Sequence, residues 1–275
     1  MTALEFDRVA RDFEMPDGRL YRSLDDISFE VPTGAFVAIV GPSGCGKSTL
    51  LNIAAGLLAP TAGRVRVDGT DLDGLNRRAT YMFQQDALLP WKTVRDNVAL
   101  GLTLAGTTRA EAVARAEAWL SRVGLAEFAA HYPSQLSGGM RKRAAMAQNW
   151  IVDRTIVLMD EPFSALDVHT RQRMETELLT LWEAADDAGD ARPRKTIVFV
   201  THDLEEAIVL ADEVVVLSAG PASRVVARHP VALERPRDLM ELRTSQAFVD
   251  LYRSLWAVLR KEVVRSQTVG EARRA

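Results

Sequence analysis

The sequence predicts an α/β fold with a mainly parallel β-sheet, and three observations support this prediction. Four short apolar runs, rich in β-branched residues, have the pattern of strands buried on both faces, at 36–40, 155–159, 196–200 and 213–217. Segments with helical spacing alternate with these runs, as they do in βαβ units. The composition, 47% hydrophobic and 26% charged, is typical of a folded globular chain and argues against general disorder.

The N-terminal part contains strands of a second kind. Residues 4–9, 27–31 and 64–69 alternate apolar with charged or polar side chains, which predicts strands with one buried face. A Gly-rich turn follows the buried run at 36–40, and residues 48–55 then have the pattern of a helix. A strand, a tight turn and a helix are therefore predicted in succession.

Helices are predicted to dominate the middle of the chain. Residues from about 93 to 130 are rich in Ala, Leu and charged side chains with helical spacing. Thr108 and Glu111 resemble a capping box, and the apolar face that follows consists of Val113, Ala116, Leu120 and Val123. Two further helices and a charged surface loop are predicted later in the chain, at 171–185, 245–266 and 183–195 respectively.

Length, charge and cysteine content exclude several classes of protein. With 275 residues the chain is expected to form one large domain or two modest ones. The net charge of −3 does not favour a protein that coats a polyanion, and the single cysteine excludes an intramolecular disulfide framework or a zinc–cysteine site. A basic start followed by an apolar core is absent from the N-terminus, and no apolar run reaches about 18 residues. We therefore expect a protein of a reducing, intracellular compartment.

A phosphate-binding loop is predicted where the first buried strand ends. The spacing G-x-x-x-x-G-K-[ST] is matched by Gly41, Pro42, Ser43, Gly44, Cys45, Gly46, Lys47 and Ser48, and Thr49 follows. Glycines allow the backbone to wrap phosphates, so that amide N–H groups and the helix N-terminus face the anion. Lys47 supplies charge to the β- and γ-phosphates, and the Ser48 hydroxyl can ligate Mg²⁺. An accidental Gly-rich turn is the competing interpretation, against which the flanking strand and helix argue.

An acidic pair at the end of another buried strand complements this loop. Asp160 can hold Mg²⁺ through water beside the phosphates, and Glu161 can polarise the attacking water as a general base. A solvated acidic turn after an apolar strand is a frequent pattern, so the pair alone is a weak signal. Together with the phosphate loop it predicts a nucleotide-hydrolysing site.

Further motifs lie between and beyond these two. They read L-S-G-G-M at 136–140, S-A-L-D at 164–167 and T-H-D at 201–203, and Gln84 follows Y-M-F. With all of them in this order, residues from about 4 to 230 resemble the ATP-binding-cassette (ABC) family, the ATPase subunits of transporters. The resemblance implies a P-loop NTPase core with a mainly parallel sheet, an antiparallel β subdomain and an inserted α-helical subdomain.

The resemblance also implies a division of the chain. The ABC ATPase domain would cover 1–230, with the helical subdomain inserted at about 86–150, and a helical extension would cover 231–275. In the extension, Phe248, Leu251, Leu255 and Leu259 have helical spacing and are expected to pack on the body of the protein. Arg273 and Arg274 are expected to form a solvated basic end, with contact to anionic lipid as the alternative.

The L-S-G-G-M motif looks like the family signature, at which two subunits meet head to tail. The resemblance implies that the Ser137 hydroxyl and the Gly138 and Gly139 amides close on the γ-phosphate held by the phosphate loop of a second copy. The usual fifth residue is Gln. Met140 replaces it here and leaves the phosphate-facing atoms unchanged.

Three single residues match other family positions. Gln84 matches the Q-loop glutamine, which touches Mg²⁺ or the water and responds to the membrane partner. Gln85 is the alternative register, and Gln84 is preferred because it directly follows the strand. His202 matches the switch histidine placed to contact the γ-phosphate, although a lone surface histidine is the competing interpretation. Asp167 matches the aspartate at the dimer seam.

An aromatic residue near the N-terminus is expected to stack on the adenine, since base stacking contributes about 1–3 kcal/mol. Phe13, after the first strand, is preferred and Tyr21 is the alternative, while either could be plain core packing. Cys45, inside the phosphate loop, is expected to act as a small filler. Its oxidation or alkylation is the alternative of functional interest, because it would block nucleotide entry.

One segment resembles a particular branch of the family. Residues 84–91, which end in Leu-Leu-Pro-Trp, together with 94–98, look like the importer subunits for nitrate, sulfonates and taurine. In such importers this region forms a groove that receives a short helix of the permease. We expect Leu88 to Trp91 to form an exposed apolar anchor, with a buried segment of the helical subdomain as the alternative.

The resemblance thus implies an ATP-binding and ATP-hydrolysing subunit of an importer for a small solute, with ATP and Mg²⁺ as cofactors. The implied partners are membrane-spanning permease subunits, a second copy in a head-to-tail ATP sandwich, and an extracytoplasmic solute-binding protein. Nucleic acid is not among them. The expected location is the cytoplasmic face of the inner membrane.

Two alternative functions stay open. A soluble ABC ATPase acting on nucleic acid or ribosomes usually carries two cassettes or a long coiled-coil insertion, and this sequence has one cassette and no such insertion. The ATPase subunit of an exporter is often fused to its permease, although separate chains occur.

Overall fold

A computed structural model describes residues 1–187 and 194–272, with side chains for 1–183 and 194–268. The strands, in chain order, are β1 Thr2–Glu14, β2 Leu20–Pro32, β3 Phe36–Val40, β4 Ala62–Val67, β5 Thr70–Asp71, β6 Ala79–Met82, β7 Ile156–Asp160, β8 Thr196–Val200, β9 Glu213–Leu217 and β10 Val225–Pro230. The helices are α1 Lys47–Ala54, α2 Val94–Leu104, α3 Arg109–Arg122, α4 Gly138–Trp150, α5 Val168–Asp187, α6 Leu204–Leu210, α7 Leu239–Leu242 and α8 Gln246–Ala272. Two short 3₁₀ helices cover Ala126–Phe128 and Pro133–Gln135.

A six-stranded sheet forms the centre of the molecule, in the order β10-β9-β3-β8-β7-β6. All pairings are parallel except that of β10 with β9. Its apolar strands are covered by side chains on both faces, which is why β3 and β8 are buried along their whole length. The predicted α/β fold with a mainly parallel sheet is confirmed.

A second sheet is antiparallel and has the order β2-β1-β4-β5. Its first two strands run to 13 residues each, far beyond the predicted 4–9 and 27–31. They extend because charged side chains outside the alternating core pair across the strands, as Arg22 does with Asp12 at 2.8 Å. The expected antiparallel β subdomain is therefore present and larger than its hydrophobic pattern indicates.

The helices α2, α3 and α4 lie between β6 and β7 and share an apolar cluster of their own. Thr108 is the N-cap of α3, and its hydroxyl accepts a hydrogen bond from the amide of Glu111, as the capping pattern predicts. The buried face of α3 consists of Ala112, Ala116 and Leu120. Val113, predicted to belong to that face, is only half-buried.

The C-terminal extension packs on the body of the protein. Phe248, Leu255 and Leu259 are buried in the same apolar cluster as the sheet residue Phe36, and Leu251 packs at the edge of that cluster. The predicted packing of the extension is confirmed. Arg273 and Arg274 lie outside the described residues.

Helix α5 continues to Asp187, two residues beyond the predicted end, so the charged segment predicted as a loop at 183–195 begins inside it. Residues 188–193 of that segment lie outside the described part of the chain. Over the described ranges, no helix combines the length and the apolar character that a membrane span requires.

The sheet order determines which loops are neighbours. The strands β3, β8, β7 and β6 are adjacent and parallel, so their carboxyl ends meet along one edge. The segments that follow them carry the phosphate loop, His202, Glu161 and Gln84 respectively. Residues that are distant in the sequence are therefore brought together where ligands bind in open α/β sheets.

Candidate functional site

The phosphate loop connects β3 to α1 through backbone conformations that favour glycine. Gly44 and Gly46 have φ values of 74° and 96°. A Cβ atom at Gly46 would also lie 2.7 Å from Leu24 Cδ2, so a larger residue would clash with the core. Gly46 is the N-cap of α1 and has no side chain to cap the first-turn amides, which leaves these N–H groups for an anion.

Lys47 lies under this loop with only 5% of its side chain exposed. Its Nζ atom donates to the carbonyl oxygens of Gly41 at 3.0 Å and Pro42 at 3.2 Å. The same atom lies 3.9 Å from Oε1 of Glu161. The ammonium group is therefore held beside the acidic pair, where an arriving phosphate could exchange for the two carbonyl contacts.

Ser48 and Asp160 are in direct contact. The Ser48 hydroxyl donates to Oδ1 of Asp160 at 2.9 Å, and the Tyr81 hydroxyl donates to Oδ2 at 3.4 Å. Burial raises the pKa of Asp160, an effect that the hydrogen bond from Ser48 opposes. Burial and the nearby Asp160 carboxylate raise the pKa of the Tyr81 phenol, which keeps it a donor.

The backbone turns sharply at Glu161, directly after the end of β7. Its φ of 43° lies in the left-handed region, which is rare for a glutamate, and its amide is held by the Val200 carbonyl at 2.9 Å. Its Oε2 atom lies 3.0 Å from Nδ1 of His202, with the proton position set by the histidine tautomer. The carboxylate thus lies between an ammonium group and an imidazole.

Gln84 is joined to the acidic pair through one intermediate residue. Its amide nitrogen donates to the Ser164 hydroxyl at 3.3 Å, and that hydroxyl donates to the Glu161 carbonyl at 3.0 Å. The neighbouring Gln85 is exposed.

Lys142 of α4 is a residue that the sequence did not single out. It is almost fully buried, and its Nζ donates to the backbone carbonyl of Gln84 at 2.7 Å. The same atom lies 2.9 Å from Oδ1 of Asp86, whose other oxygen accepts from Arg141 at 3.0 Å. The helix that begins with the signature is thereby tied to the backbone around Gln84. A lysine in a helix next to an arginine gives no sequence signal of burial.

The signature residues line a groove together with the residues after the acidic pair. Ser137 is the N-cap of α4, and its hydroxyl accepts from the Met140 amide at 3.3 Å. A Cβ atom at Gly139 would lie 2.8 Å from Thr170 Cγ2, so this glycine permits the close approach of α4 to α5. Asp167 lines the same groove as Ser137, Gly138 and Gly139. Its carboxylate accepts from the Thr170 amide, and this hydrogen bonding lowers the pKa of Asp167.

Phe13 and Tyr21, the two candidates for stacking on adenine, are directly opposite each other in the β1–β2 register. Both are half-buried. The guanidinium of Arg11 lies 4.8 Å from the centroid of the Phe13 ring, as in a cation–π contact. The Tyr21 hydroxyl instead points towards Gly220, whose Cβ position would lie 3.6 Å from it.

The Leu-Leu-Pro-Trp segment is only partly exposed, which corrects the expectation for its first residue. Leu88 is buried in the apolar cluster of the helical region, and Leu89 is half-buried. Trp91 is 71% exposed, and Phe83, whose ring packs at a tilt against that of Tyr81, is 44% exposed. Leu88 faces inwards because the amide of the buried Asn97 bonds both the N–H and the carbonyl of Leu89 and so fixes the turn.

Cys45 is a buried residue of the phosphate loop itself, and burial raises the pKa of its thiol. A Cβ atom at Gly41 would lie 2.8 Å from its sulfur. The thiol therefore fills a tight space, in agreement with its expected role as a small filler.

The buried Glu206 holds the segment around His202 in place through Thr201. The Thr201 hydroxyl donates to Oε2 of Glu206 at 2.6 Å and accepts from the Asp203 amide at 2.9 Å. Burial raises the pKa of Glu206 to about 7, and Arg171 lies 3.6 Å away. Nothing in the spacing of Glu206 distinguishes it from a solvated helix residue, so the sequence analysis missed it.

Comparison with known proteins agrees with this geometry. The family described as ABC transporter matches residues 24–164. An uncharacterized ABC transporter ATP-binding protein of Methanocaldococcus jannaschii is 42% identical over 96% of this chain and 93% of its own length. A taurine import ATP-binding protein, TauB, of Rhizobium johnstonii is also 42% identical, over 93% of this chain and 96% of its own.

A solved structure extends the likeness to three dimensions. The dimeric post-hydrolysis state of an ATP-binding cassette bound to ADP and Pi superposes with a TM-score of 0.71 at 31% identity, over 84% of this chain and all of that chain. The matched residues include the phosphate loop and the acidic pair. The chain therefore belongs to the ABC transporter family, as one of its ATP-hydrolysing cassettes.

Proposed function

We propose that this protein is the ATP-hydrolysing motor subunit of an importer for a small sulfonate-type solute. The position of the Glu161 carboxylate supports ATP hydrolysis most directly: it lies 3.9 Å from Lys47 Nζ and 3.0 Å from His202 Nδ1. A carboxylate in this place can accept a proton from water beside a phosphate that Lys47 and His202 stabilise.

The donor set around Ser48 fits Mg²⁺. Its hydroxyl and the Asp160 carboxylate are hard oxygen ligands already in contact at 2.9 Å, and the Gln84 amide oxygen would complete the protein's share. When bound, the ion would neutralise charge on the phosphate oxygens. Lys47 and the loop amides would orient the triphosphate, while Phe13 would stack on the adenine.

In the hydrolytic step, Glu161 takes a proton from the attacking water as the water's oxygen bonds to the γ-phosphorus. The bond from the γ-phosphorus to the bridging oxygen breaks, and that oxygen leaves with ADP. His202 and Lys47 stabilise the charge on the γ-phosphate oxygens. The contact between His202 and Glu161 orients the carboxylate before the nucleotide arrives.

Two copies are proposed to act together. Within one copy, Ser137, Gly138 and Gly139 face a groove that they share with Asp167. A head-to-tail arrangement would bring these atoms to the γ-phosphate on the phosphate loop of the other copy. The dimeric solved cassette supports this arrangement.

The solute and the membrane partner are proposed from the relatives. Two TauB proteins, from Rhizobium johnstonii and Yersinia pestis, have taurine import in their names at 42% and 44% identity. We propose permease docking at Phe83, Pro90 and Trp91, where exposed apolar surface follows β6. An extracytoplasmic solute-binding protein would belong to the same system, and the subunit would lie at the cytoplasmic face of the membrane.

A pull-down from detergent-solubilised membranes of the source cell tests this proposal. The Glu161→Gln protein is used with ATP, and co-purified chains are identified by mass spectrometry. A multi-spanning permease in stoichiometric yield is the expected result, and Trp91→Ala, which removes the proposed anchor, is the control that should not retain it. Recovery of ribosomal or nucleic-acid-bound partners without a membrane protein would overturn the transporter assignment.

A further inference from the structure

The phosphate loop has a second layer of protein behind it, formed by residues 218–223 after β9. A Cβ atom at Gly220 would lie 3.3 Å from the Gly44 carbonyl oxygen and 3.7 Å from Cys45 Cα. At the other end of the loop, a Cβ atom at Gly41 would lie 3.1 Å from the Leu217 carbonyl. Leu217, the last residue of β9, and Gly220 in the segment after it therefore lie within van der Waals distance of the phosphate loop.

This backing segment is ordered by its own hydrogen bonds. The Ser218 amide donates to the Arg224 carbonyl at 2.8 Å, and the buried Ser223 hydroxyl donates to the Ser218 carbonyl at 3.1 Å. The Ala222 amide donates to the Arg22 carbonyl of β2 at 2.7 Å. The segment is thus stiff enough to transmit a displacement to the glycines that it touches.

One hydrogen bond joins this segment to the C-terminal extension. The amide of Ala219, which is only 7% exposed, donates to Oε2 of Glu262 at 2.8 Å. Glu262 lies on α8, one helical turn beyond Leu259 and two beyond Leu255, both of which are buried in the core. The carboxylate is therefore held by a well-anchored helix, and a charge-assisted bond to a buried amide is stronger than a neutral one.

We propose that Glu262 is a positioning residue for the phosphate loop: it holds residues 218–222 against Gly44 and Cys45, so the C-terminal extension sets the affinity for the ATP phosphates. The inference rests on the proposed nucleotide role of the loop. Glu262 acts through residues 218–222 and does not itself contact ATP. Glu161 and His202, which are proposed to act on the γ-phosphate, follow other strands, β7 and β8.

This separation predicts a particular kinetic signature. Glu262→Ala should raise the KM and the dissociation constant for ATP about three- to tenfold, the effect of losing one charge-assisted hydrogen bond. At saturating ATP, kcat should stay within about twofold, because the hydrolytic groups keep their contacts. ADP affinity should fall in parallel, since the loop holds the phosphates common to both nucleotides.

Matched variants separate this role from simple stabilisation. Glu262→Gln keeps an oxygen that can accept the hydrogen bond from the Ala219 amide, so its KM should stay close to the wild-type value. Asp250→Ala, which removes an exposed acid from the same helix, should leave KM unchanged. Gly220→Ala places a methyl group against the Gly44 carbonyl and should raise KM without any change at Glu262.

The experiment is steady-state ATP hydrolysis together with equilibrium binding of fluorescent ATP to each full-length variant. An unchanged KM in both Glu262→Ala and Gly220→Ala would overturn the inference, as would a fall in kcat at constant KM. If the wild-type protein failed to bind ATP more tightly than Lys47→Ala, the proposed function itself would be contradicted. The two failures are therefore distinguishable.

Discussion

Oε2 of Glu161 lies 3.0 Å from Nδ1 of His202, although 41 residues separate them in the sequence. Strand register produces this contact. Asp160 pairs with Val200 in the parallel β7–β8 ladder, and each strand is followed within two residues by one of the two side chains. The Glu161 amide also donates to the Val200 carbonyl, so the backbone fixes the starting point of both side chains.

Replacing Glu161 by Gln should preserve ATP binding and abolish turnover. The amide keeps the size of the side chain and a hydrogen-bonding contact to His202, but it cannot accept the proton of the attacking water. We expect kcat to fall about 10²- to 10⁴-fold, as for loss of a general base. Phosphate release and nucleotide binding measured on the same sample check this, and turnover near the wild-type rate would refute the assignment.

Lys47→Ala should weaken ATP binding. The ammonium group lies beneath the phosphate loop with 5% exposure, in the place where a phosphate charge would be neutralised. Loss of this charge-assisted contact predicts an increase in the ATP dissociation constant of roughly 10- to 100-fold. Equilibrium titration checks this against Lys261→Ala, an exposed lysine on α8 that should bind normally.

Lys142 and Asp86 should be energetically coupled. The buried ammonium group donates to the Gln84 carbonyl and forms an ion pair with the Asp86 carboxylate, so Lys142→Met leaves both with one partner fewer. Unfolding of the two single variants and the double variant Asp86→Asn/Lys142→Met forms a double-mutant cycle. We expect a coupling free energy above about 0.5 kcal/mol. Additive changes would mean that the contact does not stabilise the fold.

Glu206 should make the stability of the protein depend on pH. Its pKa is raised from 4.5 to about 7, chiefly by burial, with Asp203 and Glu175 adding to the effect and Thr201 and Arg171 opposing it. The folded state therefore binds the proton more tightly than the unfolded state. The resulting stabilisation is fully present below pH 4.5 and is lost as the pH rises towards 7.

In Glu206→Gln this loss should disappear, because the amide does not titrate. The free energy of unfolding of the wild-type protein should fall relative to that of the variant between pH 5 and pH 7, by up to about 1.4 kcal/mol per pH unit. The melting temperature should fall with it. Glu234→Gln, a change at an exposed position, should follow the wild-type curve. Parallel curves for wild type and Glu206→Gln would show that the carboxyl is already ionised throughout.

Trp91→Ala should release the subunit from its permease. The indole is 71% exposed, and truncation of a central aromatic anchor typically costs about 2 kcal/mol or more of binding free energy. Co-purification with the permease should drop while the melting temperature stays unchanged. Leu104→Ala, at a residue 79% exposed in the same helical region, is the matched control. Equal losses in both variants would argue against a local anchor.

Much of the fold could be predicted because its signals are local. The buried strands β3 and β8 coincide with their apolar runs, and the phosphate loop has a spacing that few other structures share. The ends of β1 and β2 could not be predicted, since cross-strand ion pairs such as Arg22–Asp12 extend them beyond the apolar alternation.

The site was predictable to a different degree. Motif spacing alone predicts that Lys47 and Asp160 belong to one candidate site, and the structure brings Lys47 close to the neighbouring Glu161. Lys142 and Glu206 were missed, because burial of a charged helix residue depends on which helix packs against it, and one sequence does not contain that information. Leu88 was predicted to be exposed for a similar reason, as the buried Asn97 amide that fixes its turn comes from the next helix.

The helices α2 to α4 leave the central sheet after β6 and return to β7, the strand hydrogen-bonded directly beside it. The phosphate loop, Asp160, Glu161 and His202 therefore lie outside the segment that carries Trp91, whereas Gln84 and Ser137 lie within it. Substitutions at exposed positions around Trp91 can change the proposed permease surface while the register of β6 on β7 stays intact. The same ATP-hydrolysing core could then serve permeases with different docking surfaces.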